Sequence, residues 1–203
     1  VEAWIKWYGG TDWAGPVTAA QDDGSTEKGF ALSSRCDGTA CAEGLTMAFA
    51  ISTVEGNTDG DGQLTYVGCA DGATGHGGGG TRDPRAQIGS TPDAAAALGE
   101  WVHIAGVYDG RVAKLFVNGR DIGASSDTSV RRQGGDILYP DLSTYSSLNG
   151  GWMALGAYHD ANEYYPVNGV VDEVRLWNVA RSIQEINAAQ CDNLPISDPQ
   201  HLD

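Results

Sequence analysis

Residues 101–119 read WVHIAGVYDGRVAKLFVNG. Two runs rich in β-branched and aromatic residues, 101–108 and 112–117, are joined by Asp109-Gly110, and the second ends at Asn118-Gly119. Branched and ring side chains suit a pleated surface and an Asx-Gly pair suits a tight turn, so the segment predicts a β-hairpin. Alternation in the second run puts Ala113, Leu115 and Val117 on one face and Val112, Lys114, Phe116 and Asn118 on the other. The first set is expected to face the core.

Outward from this hairpin, strands are predicted at 1–8, 29–34, 45–52, 63–67, 151–158 and 167–177, separated by clusters of Gly, Asp, Ser and Pro. Many short strands with almost no helical periodicity predict an all-β fold of two antiparallel sheets packed as a sandwich. One helix stands out near the end. Ser182-Ile183-Gln184-Glu185 fits a capping box, in which the serine hydroxyl takes a free amide and the glutamate reaches back. That helix is expected to carry Ile183 and Ile186 onto the sandwich. Trp4, Trp101 and Trp177 lie in strand blocks and are expected in the core.

The chain has 203 residues, a length that suits one sandwich domain over 1–203, with irregular loops over about 70–98 and 125–148. The first loop holds the run Gly77 to Gly80, whose backbone entropy argues against a strand interior. Loops of this length on a rigid sandwich serve binding or simply tolerate insertion. Lys and Arg total 12 against 27 Asp and Glu, a formal charge of -15, so the long-range field repels phosphate backbones and anionic headgroups. Nucleic acid is not an expected partner. Apolar stretches fall far short of the roughly 20 residues that cross a bilayer, and no charged-then-apolar pattern opens the chain. A mature, soluble chain without membrane insertion is expected.

Cys36, Cys41, Cys69 and Cys191 form an even set without the C-x2-C spacing of zinc or redox sites. Disulfides are the favoured reading, with Cys36–Cys41 closing a small loop and Cys69–Cys191 tying back the C-terminal tail; the other pairings and four free thiols remain alternatives. Bridges would imply an extracellular setting, secreted or at the cell surface.

The opening VEAWIKW, the central GEWVHIAGVYDGRVAKLFVNG and the closing GVVDEVRLWNVARSIQEI resemble, in order, three blocks of the laminin-G-like jelly-roll domains of the concanavalin A-like lectin/glucanase superfamily. The resemblance implies a concanavalin A-like two-sheet antiparallel jelly-roll sandwich with one short C-terminal helix. That fold hosts adhesion and lectin-like modules as well as glycoside hydrolases and polysaccharide lyases, so fold alone does not choose among them. Relatives usually carry a further strand before the first block and another after the closing helix. A strand from elsewhere in the polypeptide, or from a neighbouring copy at an open sheet edge, would complete the pattern and permit homo-assembly. The resemblance also makes Asp172 the first metal candidate, for a structural calcium.

Catalytic chemistry finds little support in the residues. A retaining hydrolase of this fold class uses paired carboxylates on alternate strand positions, and the E-x-D-x-x-E signature is absent. Asp172 and Glu173 are adjacent, so alternation points them to opposite faces. A lyase would need a base such as His or Tyr, but His103 and Tyr108 fall on opposite faces, and His103 shares its face with Trp101, Ala105 and Val107, where a hydrogen-bonded structural histidine is expected. His76 and His159 are read as loop residues. Asn57, Asp59, Asp61 and Gly62 imitate the start of a calcium loop, but Gly68 stands where its bidentate glutamate belongs, so a hairpin turn is expected there.

Sugar binding is the better prospect, because exposed rings stack on pyranose faces while Asp, Asn and backbone groups supply hydrogen bonds. Trp13, Tyr139 and Tyr145 lie near Gly/Asp/Pro-rich segments. The segment AYHDANEYYP offers a fuller mixture, in Tyr158, His159, Asp160, Asn162, Glu163, Tyr164 and Tyr165. The alternative is a packed loop whose tyrosines cover the sandwich edge. These readings predict a non-catalytic extracellular module that binds glycan or matrix, with structural calcium. The alternatives are a structural subunit of a filament or surface layer and a carbohydrate-active enzyme.

Overall fold

The computed structural model describes residues 1–10, 13–22, 27–35, 44–55, 65–67, 87–89, 94–124, 134–139, 153–159 and 163–191. The predicted hairpin is present as β7 (Trp101–Tyr108) and β8 (Ala113–Val117), continued by β9 (Arg120–Ala124). Its two turns differ from the simple expectation. Tyr108 pairs with Ala113, leaving four residues between the strands, and the Asp109 carboxylate accepts from the amides of Arg111 and Val112 at 2.9 and 2.7 Å. The two-residue turn is instead Asn118-Gly119, between the paired Val117 and Arg120, with φ of 47° and 68°. Both values are positive, as a type I′ turn requires.

Ala113, Leu115 and Val117 are buried as alternation predicts. They join Ala3, Ile5 and Trp7 of β1 (Glu2–Gly10) and Val102 and Ile104 of β7. The opposing layer supplies Val17 of β2 (Val17–Asp22), Leu32 of β3 (Glu27–Arg35), Met47, Phe49 and Ile51 of β4 (Gly44–Ile51) and Val67 of β5 (Thr65–Val67). Short β6 (Gln87–Gly89) also pairs with β4. All the strand pairs are antiparallel.

The expected single strand over 151–158 is two strands. Gly156, at φ 79°, breaks it into β10 (Ala154–Leu155), which pairs with β2, and β11 (Ala157–His159), which pairs with β12 (Tyr164–Arg175). The chain thus changes sheets at one glycine. Among the described residues the first sheet runs β11-β12-β1-β7-β8-β9 and the second β10-β2-β3-β4-β5. β1 is paired on both sides, so a strand added to this sheet would meet β9 or β11.

The capping box forms as predicted in α1 (Ile183–Ala189). The Ser182 hydroxyl accepts from the Glu185 amide at 3.3 Å, and Glu185 accepts from the Ser182 amide at 2.7 Å. Ile186 is buried against Ala105 and Phe116, with Ile183 beside it. The helix therefore lies on the outer face of the first sheet, which explains why Phe116, expected outward, is buried as well.

Close approach of β12 to β1 generates a stability prediction. A Cβ on Gly169 would lie 2.2 Å from the Lys6 carbonyl oxygen, and backbone cannot move aside as a side chain can. Gly169→Ala is expected to destabilise the fold by at least about 1–3 kcal/mol in denaturant titration; an unchanged midpoint would contradict this pairing.

Candidate functional site

Alternation sets what the outer face of the first sheet presents. In β12 the residues Tyr164, Pro166, Asn168, Val170 and Asp172 are exposed, while the intervening positions are partly buried. In β1 the outward positions are Glu2, Trp4, Lys6 and Tyr8; in β7 they are Trp101, His103, Ala105 and Val107. The two ends of this face have opposite character, one closed by α1 and the other open.

Under the helix lies a buried polar cluster centred on Glu2, which is 1% exposed. Its Oε2 is 3.5 Å from His103 Nε2; its Oε1 accepts from Trp177 Nε1 at 3.1 Å and from Arg175 Nη1 at 3.5 Å, with Arg181 Nη1 at 3.9 Å. Burial pushes the Glu2 carboxyl up, but His103, Arg175 and Trp177 together outweigh it and hold the group below its ordinary value. Arg175 also donates to the Ala189 carbonyl at 2.7 Å, and Trp4 Nε1 donates to the Gln190 carbonyl at 2.7 Å. The Arg181 guanidinium stacks 3.8 Å from the Trp177 ring centroid. His103 is thus buried beside a carboxylate, in a place closed by the helix.

At the open end, the predicted aromatic cluster divides. Tyr158 is only 4% exposed, and its ring packs 6.2 Å from that of Tyr165, whose hydroxyl donates to Glu163. These two tyrosines support the edge and present little ring surface. Tyr164 is 63% exposed, and the His159 ring meets it edge-on at 5.6 Å. His159 and Tyr164 are strand residues in register, not loop residues. Asp160 and Asn162 lie outside the described residues. The expectation that Trp101 belongs to the core is overturned: it is 41% exposed, and the core tryptophan is Trp7. Trp4 and Trp177, also expected in the core, are half-buried outside it, their indole nitrogens bound to the Gln190 carbonyl and to Glu2. Alternation from Val102 and Ile104 assigns Trp101 outward, but the apolar character of both faces of β7 masked that signal.

Of the other candidates, Trp13 is half-buried at φ 68° and Tyr139 is exposed, while Tyr145 lies outside the described residues. So do His76 and the Asn57, Asp59, Asp61 and Gly62 segment. Asp172 is exposed, and its Oδ1 accepts from the Glu173 amide at 2.8 Å. Glu173, at φ 50°, occupies a bulge that interrupts alternation and binds Arg175 at 2.8 Å. The expectation of strictly opposite faces for the two acids therefore fails at this bulge. Among the described residues no three His, Cys, Asp or Glu side chains gather as metal ligands, so Asp172 offers calcium a single carboxylate and no cage. Cys191, expected to pair with Cys69, is instead a free, exposed thiol just after α1; Cys36, Cys41 and Cys69 lie outside the described residues. No helix described is long and apolar enough to cross a membrane.

A family model of laminin G type, described as the concanavalin A-like lectin/glucanases superfamily, matches residues 1–187. Two curated relatives are similar over shorter stretches. Pappalysin-1 of Mus musculus is 31% identical over 118 residues, 53% of this chain and 6% of that protein. Pappalysin-1 of Homo sapiens is 35% identical over 88 residues, 43% of this chain and 5% of that protein. The chain therefore spans a small fraction of the length of these relatives.

The Glu2 cluster has a definite acid signature. Because its pKa is depressed on folding, Glu2 contributes stability that is complete above its ordinary value of 4.5 and is lost as pH falls through the lower folded value. Glu2→Gln is expected to lose on the order of 3 kcal/mol at neutral pH, and the gap between variant and wild type should narrow below pH 4.5 in parallel melts. A gap independent of pH would show that the Glu2 charge is not what binds the helix.

Proposed function

The chain belongs to the concanavalin A-like lectin/glucanase superfamily, and from that premise we propose that it is a non-catalytic extracellular recognition module that binds glycan or matrix. The carrying observation is the exposed Tyr164 ring with His159 set edge-on against it, held on paired strands above the buried Tyr158. A ring fixed on a strand loses little freedom when a sugar stacks on it, and the imidazole beside it supplies a hydrogen-bonding edge. The superfamily includes both binding modules and enzymes. Absence of the paired-carboxylate strand signature supports the non-catalytic reading. Similarity to a small part of a much longer protein supports a modular role. Calcium stays in this reading as a structural ion to which Asp172 would give one carboxylate, eight positions along β12 from Tyr164.

A second reading, homo-assembly, is favoured by β9 and β11, which end the first sheet without a further partner among the described strands. A strand at the end of a sheet can take on a strand from another copy.

The test is a glycan array probed with purified chain in calcium and in chelator. Binding to a restricted sugar set, weakened about tenfold by Tyr164→Ala with unchanged circular dichroism, is the expected result. Survival of that binding in chelator would place calcium outside the contact. Absence of binding in both conditions, with self-association in light scattering, would transfer the assignment to assembly.

A further inference from the structure

The open end of the outer face carries a second aromatic group, distinct from Tyr164 and His159. Trp101, Tyr8 and Val170 are 41%, 53% and 43% exposed. Lys6 is in register with Val170 on one side and with Trp101 on the other, and its Nζ lies 5.8 Å from the Trp101 ring centroid. Tyr8 is two positions farther along β1 and therefore on the same face, roughly 7 Å from Lys6 along the strand. The inward alternates Ile5, Trp7 and Val102 are fully buried. The core is thus filled by these inward alternates, while the outward rings keep about half of their surface in water.

We infer that this face binds an extended, uncharged glycan, with Trp101 and Tyr8 forming a stacking platform separate from Tyr164 and with Lys6 and Asn168 supplying polar contacts. The inference rests on the glycan-binding reading above and adds the class of ligand. Distance gives the first reason. Tyr164 and Val170 are six residues apart on one strand, about 20 Å, and Trp101 lies two strand spacings from β12, about 10 Å. No single sugar reaches both platforms, whereas a chain of several units does. Pro166 and Asn168, both exposed on the same strand, line the path between them. Charge gives the second reason. Lys6 shares the face with the exposed Asp172, Glu100 precedes Trp101, and the chain as a whole carries -15. A field of that sign disfavours uronic-acid and sulfated chains, while neutral hydroxyls can use both the ammonium and the amide. Shape gives the third reason. A sheet face offers rings in a plane, which suits the flank of a polymer better than an enclosed terminal residue.

The experiment is calorimetric titration of the whole chain with gluco-, manno- and N-acetylgluco-oligosaccharides and with heparin fragments, disaccharide through octasaccharide, in wild type, Trp101→Ala, Tyr8→Ser and Tyr164→Ala, with light scattering of each protein alone. Affinity in the wild type is expected to rise with ligand length. Trp101→Ala should cost about tenfold on the longest member and less on the disaccharide, which still has the Tyr164 platform. Tyr8→Ser provides the same readout if Trp101→Ala lowers the folded fraction seen by circular dichroism. Length-independent binding lost in Tyr164→Ala alone would overturn the extended-ligand inference while sparing the glycan reading. Absence of heat with every oligosaccharide would overturn both. Preference for heparin fragments would overturn the uncharged class, and a concentration-dependent dimer abolished by Trp101→Ala would assign the platform to a second copy.

Discussion

The Glu2 carboxylate holds the first sheet and its helix in one arrangement. A lone carboxylate buried to this degree would cost several kcal/mol, and here it is surrounded by groups from three other parts of the chain. His103 comes from β7, Arg175 from the end of β12, and Trp177 and Arg181 from the segment leading to α1. Arg175 stands opposite Glu2 because the bulge at Glu173 shifts the register by one residue between Trp4↔Asp172 and Glu2↔Arg175. The same guanidinium then satisfies the Ala189 carbonyl, while Trp4 satisfies that of Gln190. Carbonyls at a helix C-terminus need such donors. Bulge, ion cluster and helix docking are thus parts of a single construction.

That construction determines where the face is closed and where it is open. Trp4 and His103, which meet at 5.3 Å between ring centroids, lie at the helix margin. Two positions farther along the same strands stand Lys6 and Trp101, outside it. Strands pinned at one end by a buried charge cluster and below by Ile5, Trp7 and Val102 give the exposed rings a rigid base. Rigidity of this kind lowers the entropy lost on binding.

Much of the architecture was legible because local pattern and tertiary environment agree. The β7–β8 pair, the inward set Ala113, Leu115 and Val117, and the capping box at Ser182 all follow from short-range chemistry. Legibility failed where the pattern was ambiguous or the cause remote. The VTAAQD strand has only Val17 and Thr18 with strong strand preference, the rest being Ala, Gln and Asp, and it is held by pairing with β3. The break at Gly156 depends on a change of sheet that no local spacing announces. Both faces of β7 are rich in apolar and aromatic residues, one for the core and one reaching the helix, so alternation alone did not mark Trp101 as outward. The aromatic hairpin at 158–165 was visible as a composition, but only register shows that Tyr164 and His159 are presented while Tyr158 is covered. The Glu2 cluster joins residues 173 positions apart, beyond any motif.

The energetic logic of the open face differs from that of the rest of the sheet. Inward side chains of β1, β7 and β12 gain about 25 cal/mol for each Å² of apolar surface removed from water, and the helix extends that gain to Ala105, Phe116 and Ile186. Tyr8, Trp101, Val170 and Tyr164 gain only a fraction of it, since each keeps 41% or more of its surface in water. Single exposed apolar residues are ordinary, but several on one flat face make a surface with unsatisfied apolar area, and such surfaces favour contact with a partner. The fold can do without those rings because the alternate positions already fill the core. The exposed rings and the core side chains thus occupy alternate positions of the same strands, and on the outer face only the end beneath α1 adds to stability.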